Sequence, residues 1–330
     1  MDRHPAGNFP ASASRRRRCL GVLVPAITSV LAFAALLGGC SQSATRAQAQ
    51  APPPFSITYL ATWGVKGTDP GQLQQPTDIA TDSLGNIYLA DAGSRFVDKF
   101  TWEGRPLLSF GEPGLKYPQA ITVDSGGAIY LTDVGRASTF VFFPSGDRYH
   151  EVRLKSRPND EDILGVAVGE DGLIHVLDAD AARVFTYSPG FRLLRNWEPA
   201  ASVPNGKVRP RAIAMGPDGY VYIVDPAGNH ILRFTNDGQF TSLLDARADG
   251  VDRKLSDRFA VGLGYIFAMD SDGRMLHVWT ADGRPKLDID LAPQLGQANR
   301  AAPSLAVSPR KELLVLDRPE AHVLRYRLNF

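Results

Sequence analysis

Histidines and carboxylates are the side chains of this 330-residue chain with the widest chemical repertoire. A histidine-based metal centre would need several imidazoles converging on one point. The histidines follow no repeating pattern, and none stands where one of the repeated segments described below begins. They are His4, His150, His175, His230, His277 and His322. We therefore expect packed or surface histidines, and no histidine-based metal site.

A set of six aspartates, in contrast, recurs at intervals of 42 to 47 residues. Each ends a short apolar run, as in IYLAD, IHVLD and VYIVD. The aspartates are Asp91, Asp133, Asp178, Asp225, Asp270 and Asp317. An aspartate at the junction of a strand and a tight turn accepts hydrogen bonds from turn amides. The pattern favours six turn caps over a ring of ligands.

Short β-strands in a sixfold repeat must position these residues. An aromatic residue lies nine positions after each repeated aspartate, and a glycine turn follows in five copies. The aromatics are Phe100, Phe142, Tyr187, Phe234, Trp279 and Tyr326. The turn glycines are Gly104, Gly146, Gly190, Gly238 and Gly283. Each period holds about four short strands separated by turn signals, which is the pattern of a propeller blade. The sequence predicts an all-β fold, a six-bladed β-propeller.

The last copy of the repeat ends at Phe330 without a fourth strand. Residues 55–64, FSITYLATWG, match the fourth-strand segments of other copies, such as RPLLSFG. We expect this N-terminal segment to pair with residues 325–328 and to close the ring, which removes exposed sheet edges. The propeller domain is thus predicted to span residues 55–330.

The N-terminus has the pattern of an export signal. Residues 15–18 are four arginines, residues 19–37 form an uncharged apolar run, and residues 37–40 read LGGC. This end resembles the lipobox of bacterial lipoproteins. The resemblance implies a signal peptide over residues 1–39, acylation of Cys40 and a disordered tether over residues 40–54. The alternative is an uncleaved transmembrane helix, since about 19 apolar residues just span a bilayer.

Ser41 after the cysteine implies sorting to the outer membrane, so we expect a lipid-anchored protein of the bacterial cell envelope, facing the periplasm or the exterior. Subtracting residues 1–40 leaves 31 basic and 34 acidic residues, a net charge of about −3 for the rest of the chain. This balance excludes a basic nucleic-acid binder. The only cysteines are Cys19 and Cys40, so the repeats hold no disulfide.

The chain resembles NHL-repeat proteins over about residues 55–330. The fourth copy, VYIVDPAGNHILRF, carries the resemblance best, although Asn229 stands one place later than the family's usual asparagine. The family's usual arginine, five places after the aspartate, is kept only as Arg183. The resemblance implies a propeller that binds ligands at the mouth where its innermost strands begin. The family includes peptide-lyase enzymes, sensor domains and protein- or RNA-binding modules.

The residues expected at this mouth are Asp78, Gln119, Arg211 and Arg258, which we predict as the ligand-binding set. Two guanidinium groups near one mouth suit a carboxylate, sulfate or phosphate. In the alternative interpretation, Asp78 only neutralises one of them. A lactonase-like calcium centre would need carboxylates and asparagines at these positions, where only Asp78 and Asp162 qualify. We expect no cofactor, with calcium as the one metal left open.

These observations predict a non-enzymatic recognition or scaffold propeller, monomeric, that presents its loop face to an envelope protein, a peptide or a glycan. The alternative is a metal-dependent hydrolase or lyase, lactonase-like or peptide-lyase-like, acting in the axial pocket. RNA binding suits the repeat family, but neither the export signal nor the acidity of the mature chain. We predict no catalytic residue and no nucleic-acid partner.

Overall fold

The computed structural model describes residues 54–153, 163–204, 206–295 and 301–330, apart from the side chains of residues 163 and 164. These residues form six antiparallel sheets of four strands each, arranged as the blades of a ring. The predicted all-β, six-bladed propeller is confirmed. The predicted signal peptide, Cys40 and nearly all of the tether lie outside the described residues, as does Asp162. Within them, no helix is long and apolar enough to cross a membrane.

The described chain begins with β1 (Ser56–Trp63), which belongs to the sixth blade. The first blade contains β2 (Pro76–Thr81), β3 (Ile87–Asp91), β4 (Phe96–Phe100) and β5 (Pro106–Phe110). The second contains β6 (Pro118–Val123), β7 (Ile129–Asp133), β8 (Ser138–Phe142) and β9 (Arg148–Arg153), with a 3-10 turn at Val134–Arg136. The third contains β10 (Ile163–Val168), β11 (Ile174–Asp178), β12 (Arg183–Tyr187) and β13 (Leu193–Trp197).

A short helix, α1 (Pro199–Ser202), follows the third blade. The fourth contains β14 (Ala212–Met215), β15 (Val221–Asp225), β16 (His230–Phe234) and β17 (Phe240–Asp245). The fifth contains β18 (Leu255–Gly262), β19 (Tyr265–Asp270), β20 (Met275–Thr280) and β21 (Pro285–Asp290), followed by α2 (Ala292–Leu295). The sixth contains β22 (Ser304–Ser308), β23 (Glu312–Asp317) and β24 (His322–Asn329), completed by β1.

The ring closes through the pairing of β1 with β24. The register runs from Ser56 opposite Asn329 to Trp63 opposite Val323. Trp63 then packs on Phe100 of the first blade, with ring centroids 5.0 Å apart. The N-terminal strand thus completes the last blade and also contacts the next blade around the ring, as the sequence predicts for residues 55–64.

The repeated aromatics and aspartates have the structural roles that their spacing predicts. All six aromatics are buried in the packing between strands and blades. At the end of the second strand in the first five blades, the aspartate accepts backbone amides; Asp91, for example, accepts hydrogen bonds from the backbone N–H groups of Gln75 and Gly93 at 2.9 and 2.8 Å. Asp133, Asp178, Asp225 and Asp270 accept comparable backbone hydrogen bonds.

The turn between the third and fourth strands packs against the outer strand of the preceding blade. Gly238 has a φ of +86°, and a Cβ there would lie 2.6 Å from the Trp197 ring, so both its backbone and its surroundings require glycine. The third blade differs, because Phe191 and not the preceding glycine takes the left-handed conformation, with φ of 61°. This turn packs against β9, the outer strand of the second blade, which carries Val152. The equivalent outer-strand positions of other blades carry larger side chains, such as Trp197 on β13.

Candidate binding site at the axial mouth

The six innermost strands surround an axial cavity of about 300 Å³. Each is an edge strand of its sheet, so its free backbone edge faces the cavity and supplies peptide N–H and C=O groups to the wall. A second cavity opens at the opposite face, among the turns that join first and second strands. Both cavities reach one layer of residues, namely Thr81, Val123, Val168, Met215, Val261 and Val307. We call the other end of the first cavity, where the innermost strands begin, the axial mouth.

Asp78 lies at the axial mouth on β2 and joins three blades. Its Oδ2 accepts a hydrogen bond from the backbone N–H of Ile121 at 2.9 Å, and its Oδ1 accepts one from the Ser304 hydroxyl. Burial raises the pKa of Asp78, while the positive charge of Arg258 and the two hydrogen bonds oppose the rise. Both carboxylate oxygens are therefore already engaged in holding the first, second and sixth blades together.

Arg258 lies on β18 and lines the axial cavity, with only 11% of its side chain exposed. Its Nε lies 3.3 Å from Oδ1 of Asp257, the adjacent residue in the chain. This approach is an ion pair without hydrogen-bond geometry, and the buried Nε has no hydrogen-bond partner within the described part of the chain. The guanidinium is thus placed at the mouth with an unused donor.

A second arginine, Arg318, reaches the same mouth from the sixth blade. It follows Asp317 at the end of β23 and is half-buried, and its Nε is also buried without a hydrogen-bond partner among the described residues. Burial lowers the pKa of the Arg318 guanidinium, and the positive charge of Arg258 lowers it further. The negative charges of Asp257 and Asp78 act in the opposite direction.

Arg318 was not among the residues predicted from the sequence, although its position carried a signal. The residues directly after the six repeated aspartates are Ala92, Val134, Ala179, Pro226, Ser271 and Arg318. Only one of them is charged. Because the loops after these aspartates form the outer ring of the mouth, a lone arginine there marks the blade that contributes a cation to the site.

The predicted ligand-binding residues separate into two pairs. Asp78 and Arg258 line the axial cavity together. Gln119 is half-buried in the irregular part of β6, and Arg211 is exposed just before β14, where its backbone N–H donates to the carbonyl oxygen of Val224. Neither Gln119 nor Arg211 lines the cavity. The structure thus brings Arg318, and not Arg211, into the neighbourhood of Arg258.

The histidines of the described residues lie away from the axial mouth, on the second, third and fourth strands of their blades. His175 on β11 is fully buried, its Nδ1 is 3.1 Å from the Thr186 hydroxyl, and burial lowers its pKa to about 4. His277 on β20 is buried beside Asp288, with Nδ1 2.8 Å from the carboxylate. Both are packed residues, as the sequence predicts for histidines of this chain.

The axial mouth is also poorly suited to calcium. Calcium takes six to eight oxygen ligands. The mouth offers Asp78, whose oxygens are engaged, and Asp257, which is paired with Arg258, beside two guanidinium groups that repel a cation. Among the residues that the structure describes, no cluster of three or more histidine, cysteine, aspartate or glutamate side chains could hold a metal ion. The donor set suits an anion better than a metal.

Comparison with known proteins places the fold among β-propellers. No protein-family model and no curated protein matches the chain. A streptogramin B lyase structure superposes with a TM-score of 0.59 at 15% identity, covering 83% of this chain and 98% of that one. Two structures of virginiamycin B lyase from Staphylococcus aureus match at 13% identity, with TM-scores of 0.59 and 0.58. Each match covers 83% of this chain and 99% of the lyase chain. At these identities the likeness concerns the fold.

Proposed function

We propose that this chain is a recognition propeller of the bacterial cell envelope, of NHL-repeat type, that binds an envelope protein, a peptide or a glycan through the loop face around its axial mouth. The observation that carries the proposal is the state of Asp78. A general base needs a free oxygen near the reacting group. Both oxygens of this axial carboxylate instead hold neighbouring blades together.

Localisation to the envelope rests on the N-terminal sequence. The LGGC tetrapeptide at residues 37–40 supports acylation of Cys40, and the proline-ended segment after it supports a flexible tether. The protein would then be held at the outer membrane, with its propeller free to meet partners. The slight excess of acidic residues after residue 40 disfavours nucleic acid as the partner.

Site-specific photo-crosslinking tests this proposal in cells. A photoreactive amino acid replaces Tyr117, which precedes β6 at the axial mouth and is 40% exposed. The control replaces Leu84, which is 75% exposed in a turn on the opposite face. We expect discrete adducts from position 117 and none from position 84. Equal labelling from both positions, or labelling from position 84 alone, would contradict recognition through the loop face.

A metal-dependent lyase is the second candidate, and the propeller neighbours favour it, since they are streptogramin B and virginiamycin B lyases, one of them with quinupristin. The engaged oxygens of Asp78 and the two guanidinium groups at the axial mouth count against it. The test is metal analysis of the purified full chain by mass spectrometry, together with incubation with quinupristin. Stoichiometric metal together with metal-dependent cleavage of quinupristin would replace the recognition proposal. If neither the metal-loaded nor the metal-free chain cleaves quinupristin, this lyase activity is excluded.

A further inference from the structure

We propose that Arg258 and Arg318 form an anion-binding subsite at the axial mouth, which takes the oxyanion group of a small acidic ligand or of an acidic chain end. The inference deepens the proposed recognition function and assigns the chemistry of one contact within it. The group bound is a carboxylate, a sulfate or a phosphate, which share negatively charged oxygens as acceptors.

Arg258 and Arg318 each carry an unused hydrogen-bond donor. Buried polar groups in folded proteins nearly always have hydrogen-bond partners, and an exception calls for a specific explanation. Arg258 and Arg318 each present a buried Nε without a partner among the described residues. The two side chains come from adjacent blades and lie close enough for their charges to interact. Two guanidinium groups with unused Nε donors at one mouth are explained by an acceptor that both can bind.

The carboxylates at the axial mouth only partly neutralise its two arginines. Asp257 pairs with Arg258, but its side chain is 45% exposed, so solvent screens much of that pairing. Asp78 is engaged by Ser304 and Ile121, and its burial disfavours the charged form. Arg318 has no hydrogen-bonded counter-ion within the described part of the chain. The mouth therefore retains positive charge that an incoming anion would neutralise.

The axial cavity also has the size of a site for a small ligand. The cavity of about 300 Å³ lies at the lower end of the range for small-molecule sites. Its wall is largely the free backbone edge of the six innermost strands, which offers further hydrogen-bond donors and acceptors. A small polar acid, or the acidic end of a longer ligand, fits a site with this volume, this wall and two guanidinium groups at its entrance.

Calorimetric titration of the purified full-length chain tests the subsite, with inorganic phosphate, sulfate and acetate as separate probes at low ionic strength. Arg258→Gln and Arg318→Gln each remove one guanidinium. Arg211→Gln is the matched control, because it changes the net charge equally at an exposed position outside the cavity. We expect saturable binding of at least one probe, weakened about tenfold or more by Arg258→Gln and by Arg318→Gln and unchanged by the control. The strongest probe distinguishes a carboxylate ligand from a phosphate or sulfate ligand.

Thermal melts of the same proteins exclude a purely structural role for the two arginines. We expect the bound anion to raise the Tm of the wild-type chain, and Arg258→Gln and Arg318→Gln each to lose this rise without a lower Tm in anion-free buffer. Absence of saturable binding to all three probes, or equal weakening by Arg211→Gln, would overturn the subsite. Adducts from position 117 in the crosslinking experiment would still support recognition, so the two proposals fail separately.

Discussion

Arg258 and Arg318 reach the axial mouth from neighbouring blades, and each holds a buried Nε that donates to no group among the described residues. Two such side chains would repel each other in an empty pocket, and burial increases the repulsion. Their arrangement is readily understood as preparation for an anion. The axial mouth therefore has two guanidinium donors without an acceptor among the described residues. The negatively charged oxygens of the proposed anion would supply that acceptor.

Asp257 competes with an incoming anion for Arg258, because its Oδ1 lies 3.3 Å from the guanidinium Nε. Asp257→Asn should remove this competition and tighten the binding of the best anionic probe several-fold, as calorimetric titration would show. Asp282→Asn is the control, since it removes one negative charge from an exposed turn beyond β20, on the opposite face. Weaker binding by the Asp257 variant would mean that this carboxylate is part of the site and not a competitor.

The closing strand should carry a measurable share of the stability. Trp63 on β1 packs on Phe100 across the closure, so Trp63→Ala should lower the free energy of unfolding by about 2 kcal/mol, less than for a fully buried aromatic. Urea unfolding provides the measurement. Leu107→Ala, on the outer strand of the first blade and 53% exposed, is the control and should cost less than about 0.5 kcal/mol. Equal losses in the two variants would contradict the role assigned to β1.

Phe191 and Val152 should behave as a compensated pair. The other turns of this kind place glycine against a larger outer-strand side chain, as Gly238 does with Trp197. Val152→Phe alone should overpack the junction and Phe191→Gly alone should leave a cavity, each costing roughly 1–3 kcal/mol. The double variant reproduces the arrangement of the other blades and should recover most of the loss. Additive losses in chemical unfolding would refute the compensation.

Asp98 predicts a pH dependence of stability. It is buried on β4, its Oδ2 has no hydrogen-bond partner in the described structure, and burial raises its pKa from 3.8 to about 6. As pH rises from about 4 through 6, the unfolded chain loses this proton first, so ionisation favours unfolding. Stability should fall over that window by up to about 3 kcal/mol.

Asp98→Asn removes this titration, so the variant should be more stable than the wild-type chain at pH 7, with a flatter profile between pH 4 and 6. Thermal melts at a series of pH values provide the comparison. The control is Asp272→Asn, which changes an exposed carboxylate. Asp124→Asn would be unsuitable, because Asp124 caps a turn. Identical pH profiles for the wild type and the Asp98 variant would contradict the assignment.

Much of the fold was predictable because each blade repeats the same local signals. An apolar run ending in aspartate, followed nine residues later by an aromatic, fixed the second and third strands. The closing segment, expected over residues 55–64, is observed as β1 over Ser56–Trp63. Strand periodicity and turn chemistry are local properties, so one sequence was enough to predict them.

The axial mouth was only half predictable, since it depends on which side chains point towards the axis. The layer of residues shared by the two cavities shows that these arginines are not equivalent, because Arg258 lies three residues before Val261, whereas Arg211 lies four residues before Met215. The fourth-blade counterpart of Arg258 is Ala212, which lines the cavity, and Arg211 stands one residue earlier and is exposed. Arg318 comes from a loop sixty residues after Arg258 in the chain and meets it only through blade packing. Likewise, the glycine at position 190 predicted a glycine turn, whereas Phe191 takes the left-handed position because it fills the space beside a smaller outer-strand residue.

The most direct test of the axial anion site is a crystal of the chain soaked in selenate, with the anomalous difference map measured at the selenium edge. We predict a peak at the axial mouth, within hydrogen-bond distance of the guanidinium groups of Arg258 and Arg318. A map with no peak there, and with selenate bound instead at exposed positions such as Arg211, would contradict the account.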